Sequence, residues 1–135
     1  MTSIIRETGI ATTPQAAWAG LRDFAALHEF ARGFVTSTKL EDERTRVVTF
    51  INGATARELL IGIDENARRI AWTITDLAGA AHHGGSAQVL ADNEDSGRCR
   101  FVWVTDVLPD DLAGRLGQMM DAGIAAIKRT LESGD

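Results

Sequence analysis

Two adjacent histidines, His82 and His83, stand in the stretch AGAAHHGGSAQV, ahead of a glycine pair and an apolar run. Three roles are open to them: holding a metal ion, moving protons, or only starting a strand. Successive side chains on a strand point to opposite faces. His82 therefore groups with Ser86 and Gln88, and His83 with Ala87 and Val89. Ligands on opposite faces do not readily chelate one ion. The third histidine, His28, is remote in sequence, and no His-x-His or Cys-x-x-Cys spacing exists. Catalytic zinc usually takes three protein ligands, so the sequence predicts no metal site. A neutral imidazole can still give or take a proton at about pH 7.

Other groups with chemistry are fewer. Cys99 lies between Arg98 and Arg100, which on a strand point away from it. A nucleophilic thiol needs a neighbouring base, and none is in view. Gly84-Gly85 is followed by no Gly-Lys-Ser or Gly-Lys-Thr, so it is no phosphate loop. The pair allows a bend in a sheet or leaves room for a ligand. Trp72, Phe101 and Trp103 could stack on a planar ligand or fill a core. Cys99, Phe101 and Trp103 alternate onto one strand face. Met119 and Met120 would make an adaptable wall or serve as filler. Asp64 and Asp106 sit at turns and read as structural.

The elements that must hold these residues follow from the pattern. SIIRETGIATT reads as a strand. Thr13-Pro14 then reads as a helix cap followed by proline in the first turn, with Ala17, Trp18, Leu21 and Phe24 at helical spacing. A second short helix carries Leu27, His28 and Phe30, and Gly33 ends it. Six strand-like segments follow, FVTSTKL, RVVTFI, ATARELLIGI, RIAWTITD, HHGGSAQVLA and RCRFVWVTDV, divided by polar or glycine-rich turns. The Asn52-Gly53 turn is a strong hairpin signal. A helix from about Pro109 to Glu132 carries a stripe of Leu112, Leu116, Met119, Met120, Ile124, Ile127 and Leu131. Short hairpins imply an antiparallel sheet, and the terminal helix has the stripe to cover its apolar face. Between such a sheet and helix lies a cavity, the usual place for a ligand.

The chain has 135 residues, which suits one domain over 1–135. Its net charge of −5 argues against nucleic acid as a partner, which calls for a basic face. No run reaches the roughly 18 apolar residues of a membrane span. The opening MTSIIRETGI has no basic region followed by an apolar stretch, so no signal peptide is expected. A single cysteine excludes an internal disulfide and fits a reducing, cytoplasmic location.

The order of elements, with the phrases TTPQAAWAGLRDFAALHEF, ATARELLIGIDENARRIAW, HHGGSAQVLADNEDSGRCRFVWVTDV and MMDAGIAAIKRTLE, resembles the START-related, birch-pollen-allergen-like (SRPBCC) superfamily in its bacterial polyketide cyclase/dehydrase-like branch. The resemblance implies an α+β helix-grip fold. A seven-stranded curved antiparallel sheet wraps a long C-terminal helix, and two short helices separate strands 1 and 2. It implies an internal pocket walled by Val48, Phe50, Ala56, Glu58, Leu60, Trp72, His83, Gly85, Phe101 and Trp103 from the sheet, and by Met119, Gly123 and Ile127 from the helix. It also conflicts with simple alternation. Leu59, Ile61 and Ile63 form the more apolar face of their strand, opposite Glu58. With Glu58 in the pocket, that face needs another cover, such as the second copy of a homodimer.

The expected function is binding of a small, largely apolar metabolite, of lipid, polyketide or aromatic type, without a cofactor. Glu58 and His83 would serve as polar anchors. A second reading makes them catalytic, as acid and base of a cofactor-free polyketide cyclase or dehydratase. A raised carboxyl pKa and a neutral imidazole would suit proton transfer beside a carbonyl. A third reading is a co-chaperone-like interaction module that works through its outer surface. Fold alone does not choose among them.

Overall fold

The computed structural model describes residues 2–134. Strand β1 (Thr2–Ile10) leads to helices α1 (Pro14–Leu21) and α2 (Leu27–Phe30), with one 3-10 turn, Phe24–Ala26, between them. Six strands follow: β2 (Val35–Leu40), β3 (Thr45–Phe50), β4 (Thr55–Asp64), β5 (Arg69–Ile74), β6 (His82–Ala91) and β7 (Cys99–Leu108). A 3-10 turn, Asp110–Leu112, leads into helix α3 (Ala113–Ser133). Every pairing is antiparallel, and the sheet order is β1-β7-β6-β5-β4-β3-β2. Each strand from β2 onward pairs with the next, and β1 closes on β7. The expected element order is therefore the observed one. The terminal helix starts later than expected, because its first turn is 3-10.

Local chemistry explains the boundaries. The Thr13 hydroxyl accepts from Ala16 N at 3.1 Å and caps α1, with Pro14 in the first turn where its missing N–H costs nothing. At the β3–β4 turn Gly53 has φ 87, a left-handed conformation that glycine adopts without strain.

Helix α3 is tied along the β1 side of the sheet. Arg6 Nε donates to Asp121 Oδ1 at 2.5 Å, Lys128 Nζ to Gly9 O at 2.7 Å, and Ala11 N to Glu132 Oε2 at 2.9 Å. Its buried face is Leu116, Gly117, Met120, Gly123, Ala126, Ile127 and Thr130. Met119, Ile124 and Leu131 are only half-buried. The buried stripe is thus rotated from the expected one toward smaller residues. Small side chains let the helix approach the sheet, and a Cβ on Gly117 would lie 2.8 Å from Arg6 Nη2. Helices α1 and α2 and the 3-10 turn between them add Trp18, Leu21, Phe24 and Phe30 to the main core, with Ile10, Val48, Ile70, Val89, Phe101 and Ile127. A smaller cluster of Ile4, Val107, Leu116 and Met120 lies under the first half of α3. Trp103 packs against both clusters.

Strand β4 resolves the conflict over Glu58. The register shifts between Leu60 and Gly62, so Ile61 is a bulge. Glu58 and Leu60 lie opposite Ile74 and Trp72, whereas Ile63 lies opposite the buried Ile70. Residues directly opposite each other share a face. Ile63 therefore turns to the same side as Glu58, and Ile61 is 57% exposed at the bulge. Leu59, Ile61 and Ile63 do not form one outward apolar face. An uncovered face of that kind gives no reason to expect a homodimer.

Candidate functional site

The ten sheet residues expected to wall a pocket share the inner face. Val48 lies opposite Ala56, Leu60 opposite Trp72, Trp72 opposite Gly85, Trp103 opposite Ala87, and Phe101 opposite Val89. Glu58, in step with Ala56 and Leu60, and His83, in step with Gly85, follow by alternation. From α3, Gly123 and Ile127 are buried against this face and Met119 is half-buried.

Glu58 is held by a residue that sequence reasoning missed. Arg46 lies directly opposite it on β3. Arg46 Nε donates to Glu58 Oε1 at 2.9 Å, and Nη2 lies 2.8 Å from the same oxygen. Arg46 Nη1 donates to Phe24 O at 3.0 Å. The guanidinium carbon sits 4.2 Å from the Phe24 ring centre and 5.8 Å from that of Trp72, within cation–π range. Both partners are buried, at 4% and 6% exposure. Burial pushes the Glu58 carboxyl above its ordinary pKa, although the Arg46 charge and hydrogen bond pull the other way. The signal was available: Arg46 alternates onto the face of Val48 and Phe50, and an arginine on an apolar strand face needs a partner.

His83 is not that partner. Ile74 on β5 lies opposite Glu58, and the β5–β6 ladder ends at Thr73 opposite Gly84. Glu58 and His83 thus lie on strands β4 and β6, with β5 between them and no ladder pair joining Ile74 to His83. Burial lowers the His83 pKa and keeps the ring neutral, and its Nδ1 is buried without a hydrogen-bond partner. Trp103 Nε1 is likewise buried and unpartnered. His82 is exposed, whereas His28 Nδ1 lies 3.1 Å from the Thr38 hydroxyl. Cys99 is fully buried, and burial raises its pKa, which keeps it a thiol. Among the described residues no group of three or more His, Cys, Asp or Glu side chains could hold a metal ion.

The two glycines expected to wall the pocket make room for aromatic rings. A Cβ on Gly85 would lie 2.6 Å from Trp72 Cε2, so the Trp72 indole lies against the β6 backbone. A Cβ on Gly123 would lie 2.7 Å from Trp103 Cζ3 and 2.9 Å from Phe34 Cε2. Phe34 in turn packs edge-on against Phe50, with ring centres 5.3 Å apart. Gly85→Ala should therefore push Trp72 off the sheet. We expect a loss of about 1 kcal/mol or more and a red shift of tryptophan emission. Unchanged emission would mean that the ring is not held there.

A long C-terminal helix packed on an open seven-stranded antiparallel sheet, with two short helices between the first two strands, is the helix-grip, START-like fold. The chain belongs to the polyketide cyclase/dehydrase and lipid transport family, whose sequence profile matches residues 1–132. Among solved structures it is similar to a Bacillus thuringiensis protein, at 18% identity and TM-score 0.85, covering 96% of this chain and 98% of that one. The protein XoxI from Bacillus cereus is similar at 18% identity and TM-score 0.86, covering 97% and 96%. A START superfamily protein from Mycobacterium smegmatis is similar at 11% identity and TM-score 0.75, covering 98% and 99%. Identities this low speak for the fold alone. No curated protein matches the chain. No helix among the described residues is long and apolar enough to cross a membrane.

Proposed function

We propose that this protein binds a small, largely apolar molecule between the inner face of the sheet and α3. The family description, which names polyketide cyclisation or dehydration and lipid transport, supports a hydrophobic ligand in general. The observation that carries the reading is the pair of unpartnered buried atoms, His83 Nδ1 and Trp103 Nε1. Buried polar groups almost always have a hydrogen-bond partner. Two that lack one, on neighbouring strands of the sheet face that also carries Phe50, Trp72 and Phe101, suit a ligand that is mostly apolar with a few acceptor atoms. Trp103 can only donate, whereas neutral His83 can donate or accept. A cyclase or dehydratase step would fall to His83, because Glu58 is occupied by Arg46.

Tryptophan emission tests this, with decanol as the probe. Trp18 lies on α1, where its Nε1 is already taken up by donating to Glu65 Oε1 at 2.7 Å. Trp18→Phe should preserve the emission change on titration, and Trp103→Phe should reduce it. At a hundredfold over its dissociation constant the probe should add roughly 2.7 kcal/mol of stability. A change that persists undiminished in Trp103→Phe and Trp72→Phe would exclude this site.

A further inference from the structure

The sheet opens between the end of β5 and the start of β6. Ile74 is held by Glu58 on one side, and His83 by Val107 on the other. Their own ladder stops one row earlier, at Thr73 and Gly84. The backbone groups that would have joined them go elsewhere. Thr75 N donates to Arg57 O at 3.0 Å, Ala81 N donates to Leu108 O at 2.8 Å, and the Thr73 hydroxyl donates to His83 O at 3.1 Å. The parted ends leave a depression of about 330 Å³, lined by Thr73, Ile74, Thr75, Leu77, His82 and His83. His83 is only 8% exposed there, with Nδ1 unpartnered. Leu77 also packs against the cluster of Ile4, Val107, Leu116 and Met120. One side chain thus joins the depression to the apolar underside of α3.

We propose that this depression receives the polar end of the ligand, and that this end is an uncharged hydroxyl or ketone rather than a carboxylate. The inference rests on the reading above, that an apolar molecule is bound beneath α3. The lining offers hydroxyls and imidazole. The arginines nearby are already engaged, Arg46 with Glu58 and Arg57 with Glu41, whose Oε1 accepts from Arg57 Nε at 2.5 Å. Asp76 lies in the loop across the gap, where its Oδ1 accepts from Arg57 N at 3.0 Å. Its negative charge acts on both His83 and Glu58. A carboxylate entering here would meet a like charge and a neutral ring, with no free arginine to compensate its lost hydration. A hydroxyl or carbonyl needs only one hydrogen bond, and His83 Nδ1 can accept from the first or donate to the second.

Decanol and decanoate, titrated at a pH of about 8 where decanoate is ionised, test it by tryptophan emission. Decanol should bind at least about tenfold more tightly to the wild type. In His83→Phe the decanol affinity should fall about tenfold while that of decanoate stays the same. In Asp76→Asn, which keeps an oxygen for Arg57 N, decanoate should bind several-fold more tightly and decanol equally well. Equal affinity for both probes in the wild type would overturn the inference and leave apolar binding standing. So would a decanol preference undiminished in His83→Phe together with no gain for decanoate in Asp76→Asn. Binding of neither probe would remove both readings.

Discussion

Replacing Arg46 by methionine should cost about 3–5 kcal/mol of stability at neutral pH, the usual effect of removing one partner of a buried ion pair. The loss follows from what remains. Glu58 would stay buried with no counter-charge, and Phe24 O would lose its donor. The deficit should depend on pH in a definite direction. Burial holds the folded carboxyl above its unfolded pKa. Over the window between the two values the folded state keeps a proton that the unfolded chain has released. Stability therefore falls as pH rises through that window. Removing Arg46 takes away the main influence that lowers the folded pKa, so the window extends upward. The variant should be weakest near neutrality and approach the wild type toward a pH of about 4, where the unfolded carboxyl is itself protonated. The double variant Arg46→Met, Glu58→Leu should recover most of the loss, because an apolar pair of similar volume often replaces a buried ion pair without penalty. Urea unfolding midpoints across this pH range measure all three proteins. A single variant as stable as the wild type at neutral pH would mean that the pair is not closed in solution.

The same pair marks where the sequence stopped being readable. Element order was legible, because turns carry their own chemistry, as at Thr13-Pro14 and Asn52-Gly53. The inner faces of β6 and β7 were legible too, since regular alternation places His83 with Ala87, and Phe101 with Trp103. Alternation failed on β4, because the bulge at Ile61 inserts one residue and reverses every side chain after it. Arg46 went unnoticed because its partner lies twelve residues away across a hairpin whose register depends on the loop. The packing beneath α3 was the least legible part. Trp72 against Gly85, and Trp103 with Phe34 against Gly123, are fits between side chains and missing side chains. No spacing rule encodes them.

Gly123→Leu probes that packing most directly. In the helix interior the substitution should gain about 1 kcal/mol, the difference in helix propensity. Packing opposes it. The first added carbon already falls 2.7 Å from Trp103 and 2.9 Å from Phe34, closer than real Cβ contacts come. The rest of the side chain must displace those rings or lift α3 from the sheet. Overpacking of this kind costs about 1–3 kcal/mol and occasionally more. The easier displacement is that of Phe34, which is half-exposed and held edge-on by Phe50, rather than of the helix, which is fixed along β1 by Arg6, Lys128 and Glu132. We therefore expect a folded protein with native far-ultraviolet circular dichroism, a net loss of about 2 kcal/mol at the upper end of that cost, and a shifted Trp103 emission. If the ligand enters by parting the same aromatic rings, leucine occupies its place, and the decanol-induced change in emission should vanish while the fold remains. Full decanol affinity in a folded Gly123→Leu protein would put the ligand elsewhere on the inner face.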